Sequence, residues 1–144
     1  MIVPDANLLI YAYDATCPDH ASARAWLEDV FSSEEPVGIP WPAISAFLRI
    51  QTDTRIRGDR FTMQEAVSIV DRWFELPQVR SLASGLRHWW QFRRMLIDGQ
   101  ARGPLTTDAE LAALTIECGG ILYTNDRDFA RFPGLRWVNP LAES

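Results

Sequence analysis

Short apolar runs alternate with segments of helical periodicity along this sequence, and that alternation restricts it to an α/β architecture. The apolar runs are residues 1–4, 37–41, 79–82 and 121–124, with a shorter fifth at 136–138. Each reads as a strand. Pro4 closes the first run, a place where a residue without an amide hydrogen is tolerated. The segments between them read as helices: 7–13, 18–31, 42–52, 62–74, 87–97 and 107–118, then a helical turn at 127–132. In the second, Ala23, Trp26, Leu27, Val30 and Phe31 recur at helical spacing while Arg24, Glu28 and Asp29 face outward. Thr62 with Glu65, and Thr107 with Glu110, have the spacing of capping boxes. Gly99 ends one helix and Gly119-Gly120 another. The basic stretch 55–60 reads as a loop. Strands alternating with helices predict a parallel sheet of four to five strands with helices on both faces.

The 144 residues suit one domain with one core. A chain of this size buries about 70% of its unfolded surface and needs no disulfide or structural metal to fold. Cys17 and Cys118 stand in no metal or redox spacing. The N-terminus has no basic region followed by an apolar stretch, and no run approaches a membrane span, so a cytoplasmic protein is expected. The net charge of −5 argues against a general nucleic-acid coat protein. It leaves a nuclease open, because a metal site needs its own acids. All 14 cations are Arg. Coding bias explains that; so does a need for bidentate phosphate contacts.

Three acids distant in sequence converge under the α/β reading. Asp5 follows the first strand and Asp126 the fourth, so in a parallel sheet both lie at the C-terminal edge, where such sheets bind ligands. Asp108 begins the helix before the fourth strand, and that helix starts over the same edge. Gathered carboxylates without matching cations repel one another, and a divalent metal is their natural guest. Oxygen donors with no Cys or His nearby select Mg²⁺ or Mn²⁺ over Zn²⁺. One or two such ions activate a water and neutralise charge on a phosphoryl group. Asn7, Thr107 and Thr124 are placed to orient the carboxylates. Plainer roles remain open for each acid: Asp5 as a helix cap, Asp108 as a first-turn acid, Asp126 as a turn residue, Asp128 as a cap or a further ligand. Asp5-Ala6-Asn7 lacks the second carboxylate of a phosphoryl-accepting pair.

Residues 2–9 (Ile-Val-Pro-Asp-Ala-Asn-Leu-Leu), Phe47-Leu48-Arg49-Ile50 with Thr52, residues 107–114, and 124–129 followed by 131–135 resemble, in order and spacing, the PIN-domain ribonucleases, and within them the VapC toxins of bacterial toxin–antitoxin pairs. The resemblance covers nearly the whole chain. It implies an α/β/α sandwich, Mg²⁺ or Mn²⁺ in an acidic pocket, endonucleolytic RNA cleavage, a homodimer, and inhibition by a small VapB-type antitoxin. The family's acids fall on Asp5, Asp108 and Asp126, with Asp128 as a further candidate. Many members carry another acid just before the Phe-Leu-Arg stretch, where this chain has Ala46. A catalytically weak module that binds RNA or an antitoxin without cutting is the alternative.

Arg49 is expected beside the pocket, and Arg55, Arg57 and Arg60 just beyond it, available to RNA phosphates or an acidic antitoxin segment. Residues 87–94 mix Arg with aromatics. Their expected arrangement is a helix burying Trp89, Phe92 and Leu96, with Trp90 at a protein interface.

Overall fold

A computed structural model of the chain describes residues 1–57 and 61–142. Their strands are β1 (Ile2–Pro4), β2 (Val37–Pro40), β3 (Val79–Leu82), β4 (Ile121–Tyr123) and β5 (Trp137–Val138). All pair in parallel, in the order β3-β2-β1-β4-β5. The helices are α1 (Ala6–Ala12), α2 (His20–Ser32), α3 (Trp41–Thr52), α4 (Thr54–Arg57), α5 (Met63–Glu75), α6 (His88–Asp98) and α7 (Leu105–Glu117), with a 3₁₀ turn at Arg127–Arg131.

Successive strand residues point to opposite faces, and the core divides accordingly. Ile2, Val37, Ile39 and Val79 pack with α1, α2, α3 and α5 on one face. Val3 and Leu122 pack with α6, α7, Phe129 and Phe132 on the other. The result is the expected three-layer α/β/α sandwich. Among the described residues no helix is long and apolar enough to cross a membrane.

The order in which strands are added reverses at β1: β2 and β3 lie to one side, β4 and β5 to the other. The crevice between the C-terminal ends of β1 and β4 is therefore the switch point at which α/β sheets bind ligands. Pro4 does not disturb this end. It pairs with Tyr123, and Asp5 N donates to Tyr123 O at 2.9 Å, carrying the ladder past the proline.

Several local expectations hold, and others fail for definite reasons. Thr62 and Glu65 form the full capping box at the start of α5. Gly119 closes α7 in the left-handed region (φ 68°), which glycine enters without a Cβ clash. The second capping box is absent. Leu105 N bonds Arg102 O and Thr106 N bonds Gly103 O, so the Gly103-Pro104 turn winds the chain into α7 two residues early. Thr107 then lies inside the first turn, and its hydroxyl donates to Pro104 O at 3.0 Å. The stretch expected as a loop from residue 55 is helical as far as Arg57. Trp89, expected in the core, is 56% exposed, because α6 packs through Phe92, Met95 and Leu96.

Candidate active site

The end of β1 hands Asp5 directly to α1, which makes Asp5 the N-cap residue but with no side-chain cap bond. Its carboxylate is turned instead toward the sheet edge, where it is only 9% exposed. Oδ2 accepts from Thr124 Oγ1 at 2.8 Å, and the backbone amides of Ala6 and Asn7 also favour its ionised form. Burial outweighs these bonds, and with the nearby charge of Asp126 it raises the Asp5 pKa above its ordinary value.

Thr124 is fully buried just past β4 and serves both acids. Its hydroxyl oxygen also accepts from Asp126 N at 3.1 Å. Asp126 caps the 3₁₀ turn, its Oδ1 accepting from Asp128 N at 2.9 Å. The turn is pinned from beneath by buried Phe129 and Phe132, whose rings stand 5.9 Å apart.

Asp108 enters from the first turn of α7. Among the described residues its carboxylate has no hydrogen-bond or ion-pair partner. Partial burial, then the charges of Asp126, Asp5 and Asp128, push its pKa up to about 6, against a smaller opposing pull from Arg131. Asp5 and Asp108 line one cavity of about 150 Å³, together with Ala6, Pro42, Ala43, Ala46, Thr107, Glu110, Leu111 and Leu114.

The sequence-derived residues thus divide. Asp5, Asp108 and Asp126 come to one edge and act on one another electrostatically. Asp128 stands exposed at the rim. Thr124 orients an acid through a direct bond. Asn7 contributes its amide to Asp5, while its side chain makes no hydrogen bond among the described residues. Thr107 lines the cavity, but its hydroxyl is spent within its own helix turn.

The arginines are less well placed. Arg49 is exposed and does not line the cavity; its charge acts on Asp53. Arg55 is held bidentate by Asp53, at 3.2 and 3.1 Å, away from the acids. The Arg57 side chain and Arg60 lie outside the described residues. Glu110 has the spacing of a cap in the sequence, whereas in the fold it lines the cavity. The available signal was the spacing of Thr107, Glu110, Leu111 and Leu114, which shares one helix face.

The donor set fits a hard divalent cation. The side-chain donors at this edge are oxygen only, and negative charge is in excess. Among the described residues, no three His, Cys, Asp or Glu side chains are yet close enough together to hold an ion.

The PIN domain family matches residues 2–135. Ribonuclease VapC33 of Mycobacterium tuberculosis is 38% identical over 143 residues, covering 99% of this chain and 100% of the relative. Ribonuclease VapC43 of the same organism is 37% identical, over 98% and 96% of the two chains. Among solved structures, VapBC-1 from nontypeable Haemophilus influenzae superposes with a TM-score of 0.70 at 13% identity, covering 99% of this chain and 100% of that one. Mycobacterium tuberculosis VapC20, a sarcin-ricin loop cleaving toxin, gives 0.68 at 19% identity, over 94% and 99%. The match across almost the full length of the chain and the parallel sandwich agree: the chain belongs to the PIN domain family, and within it to the VapC ribonucleases.

Proposed function

We propose that this chain is a metal-dependent endoribonuclease and the toxin of a VapBC-type pair, with Asp5, Asp108 and Asp126 as metal ligands. The observation that carries the reading is the uncompensated charge at the switch point. There Asp108 has no partner among the described residues, and partial burial, then its neighbours' carboxylates, push its pKa up to about 6. Its relatives named as VapC ribonucleases support the RNA substrate.

Asp5 is the fixed member, held by Thr124. Asp126 is aimed by the cap it makes and by the bond from its amide to Thr124. Asp108 is the unrestrained member, and a cation bound there would relieve the repulsion that adds to burial in raising its pKa. A bound Mg²⁺ or Mn²⁺ supplies charge neutralisation at the phosphoryl group and a water of lowered pKa. Thr124 fixes the acid geometry, and Asp128 adds negative charge at the rim where the scissile phosphate would enter. Mg²⁺ is the favoured ion, with Mn²⁺ an effective substitute.

A VapB-type antitoxin and a second copy of the chain are the proposed partners. The fold shared with solved VapBC complexes and the exposed Trp89, Trp90 and Ile97 support such contacts. The expected location is the cytoplasm. A second reading, a module that binds RNA or antitoxin without turnover, draws on the apolar α3 wall of the cavity at Pro42, Ala43 and Ala46.

Cleavage of a cellular RNA pool by the antitoxin-free chain separates the two. Discrete cuts with Mg²⁺ or Mn²⁺ that disappear in EDTA support the nuclease. RNA binding without product from folded protein favours the module.

A further inference from the structure

We propose that Arg131 positions the RNA: its guanidinium is anchored beside the acidic edge by one nitrogen and takes a backbone phosphate with the others. The inference rests on the ribonuclease reading above and deepens it, by naming a residue that binds the substrate.

An edge that gathers Asp5, Asp108, Asp126 and Asp128 repels a polyanion, so RNA held there needs a protein cation besides the metal. The arginines expected to serve are turned elsewhere. Arg49 acts on Asp53, and Asp53 holds Arg55. Arg131 is the cation whose charge is felt at Asp108. It is the last residue of the 3₁₀ turn that opens next to Asp126.

Packing fixes its place. The next residue, Phe132, is buried in the cluster that includes Met95 of α6. Gly99 ends α6, and a Cβ there would stand 2.6 Å from the Phe132 ring, so only glycine permits this approach. Arg131 Nη1 donates to Gly99 O at 3.3 Å and to Gln100 O at 3.4 Å. Gln100 holds the left-handed conformation (φ 51°) that is uncommon outside glycine. These bonds tie the segment bearing Asp126 and Asp128 to the turn that leads into α7 and Asp108.

The anchoring occupies one nitrogen. Nε and Nη2 make no hydrogen bond or ion pair among the described residues, and Arg131 is exposed. The Nε–Nη2 edge is left over, with the spacing that meets two phosphate oxygens side by side. Arg131 does not line the cavity shared by Asp5 and Asp108, so the phosphate it takes is a neighbour of the scissile one. A contact of that kind is made equally in the bound RNA and in the transition state, and therefore acts on KM.

Two readouts on the full antitoxin-free chain test this, each variant being shown to be folded by its melt. The first is binding, in Mn²⁺ and across a range of salt, of a fluorescein-labelled single-stranded RNA that contains the parent's cut site, to Asp5→Asn with and without Arg131→Gln. Arg131→Gln is expected to weaken binding about tenfold or more at low salt and to make the salt slope shallower by about 0.7, the share of one phosphate on a single strand. The second is steady-state cleavage. Arg131→Gln alone is expected to raise KM about tenfold with kcat little changed, and Arg131→Lys, which keeps the charge without the fork, to recover part of the loss. Arg49→Gln makes the same change in net charge and is expected to bind RNA like the parent. Mn²⁺ affinity of Arg131→Gln, by calorimetry, is expected to be no weaker than the parent's. Equal weakening by Arg49→Gln, an unchanged salt slope or an unchanged KM would overturn the proposal and leave the ribonuclease reading standing. Loss of Mn²⁺ affinity in Arg131→Gln would also overturn it, by showing that Arg131 only braces the acids. A parent that cuts no RNA removes both.

Discussion

Thr124 Oγ1 donates to Asp5 Oδ2 at 2.8 Å, joining residues 119 positions apart. The bond spans the paired ends of β1 and β4, where the strand order switches, and the same hydroxyl accepts from Asp126 N. One buried side chain thereby sets the spacing of two acids. Thr124→Val keeps the shape and removes the donor, leaving a buried carboxylate oxygen unpaired. The expected result is a stability loss of about 1–3 kcal/mol and roughly 10–100-fold weaker Mn²⁺ binding. Thr124→Ser restores the hydroxyl and is expected to recover most of both. Urea denaturation and calorimetry on the two variants check this.

Partial burial of Asp108 and the carboxylates around it have a cost that pH reveals. Asp108 titrates near 6 in the fold and at an ordinary value of 3.8 when free. Because the folded value is raised, the stability linked to this group is fully present below about pH 4 and is lost as pH rises through about 6. Asp5 shifts in the same direction. Asp108→Asn carries no charge at any pH. In EDTA it is expected to exceed the parent in stability by about 1 kcal/mol at pH 8, allowing for solvent screening, and to lose that advantage at pH 4. Urea melts at the two pH values measure the difference. A parent more stable than Asp108→Asn at pH 8 would mean that the carboxylate is paired rather than crowded.

A cation bound by these acids reverses that penalty. At Mn²⁺ concentrations about 100 times the dissociation constant, stability is expected to rise by about 2.7 kcal/mol and to fall back on adding EDTA. The gain shrinks below pH 6 as protons compete for Asp108. Thermal melts across pH, with and without Mn²⁺, record it. An equal shift in Asp108→Asn would locate the binding elsewhere.

Packing beneath the 3₁₀ turn reaches the same site. Phe129 is 1% exposed and holds the segment that carries Asp126 and Asp128. Phe129→Ala is expected to cost about 3–5 kcal/mol and to lower cleavage by the molecules that remain folded. Denaturation midpoints and activity per folded molecule separate the two effects.

The sequence carried the layout of the fold because its strands are short apolar runs between strongly periodic helices. The convergence of Asp5 and Asp126 needed only that β1 and β4 be neighbours, and the pairing of Pro4 with Tyr123 provides that. What escaped depended on geometry that spacing does not encode. Thr62-Glu65 and Thr107-Glu110 look alike in sequence, yet only the first closes, because Gly103-Pro104 starts α7 ahead of Thr107. That shift turns Glu110 from a cap into a cavity wall. Trp89 has helical spacing with Phe92, but it stands at the start of α6, its ring nearly perpendicular to that of Phe92 with 6.1 Å between centroids, and most of its surface stays open. Arg55 is basic in sequence, but its charge is taken up by Asp53 two residues away.

The most direct test of the account is RNA cleavage by parent, Asp5→Asn and Asp108→Asn side by side in Mn²⁺, each antitoxin-free and shown to be folded by its melt. The account predicts discrete endonucleolytic cuts by the parent and loss of most activity in both variants. Cutting by either variant at the parent's rate would contradict the assignment of the site to these acids.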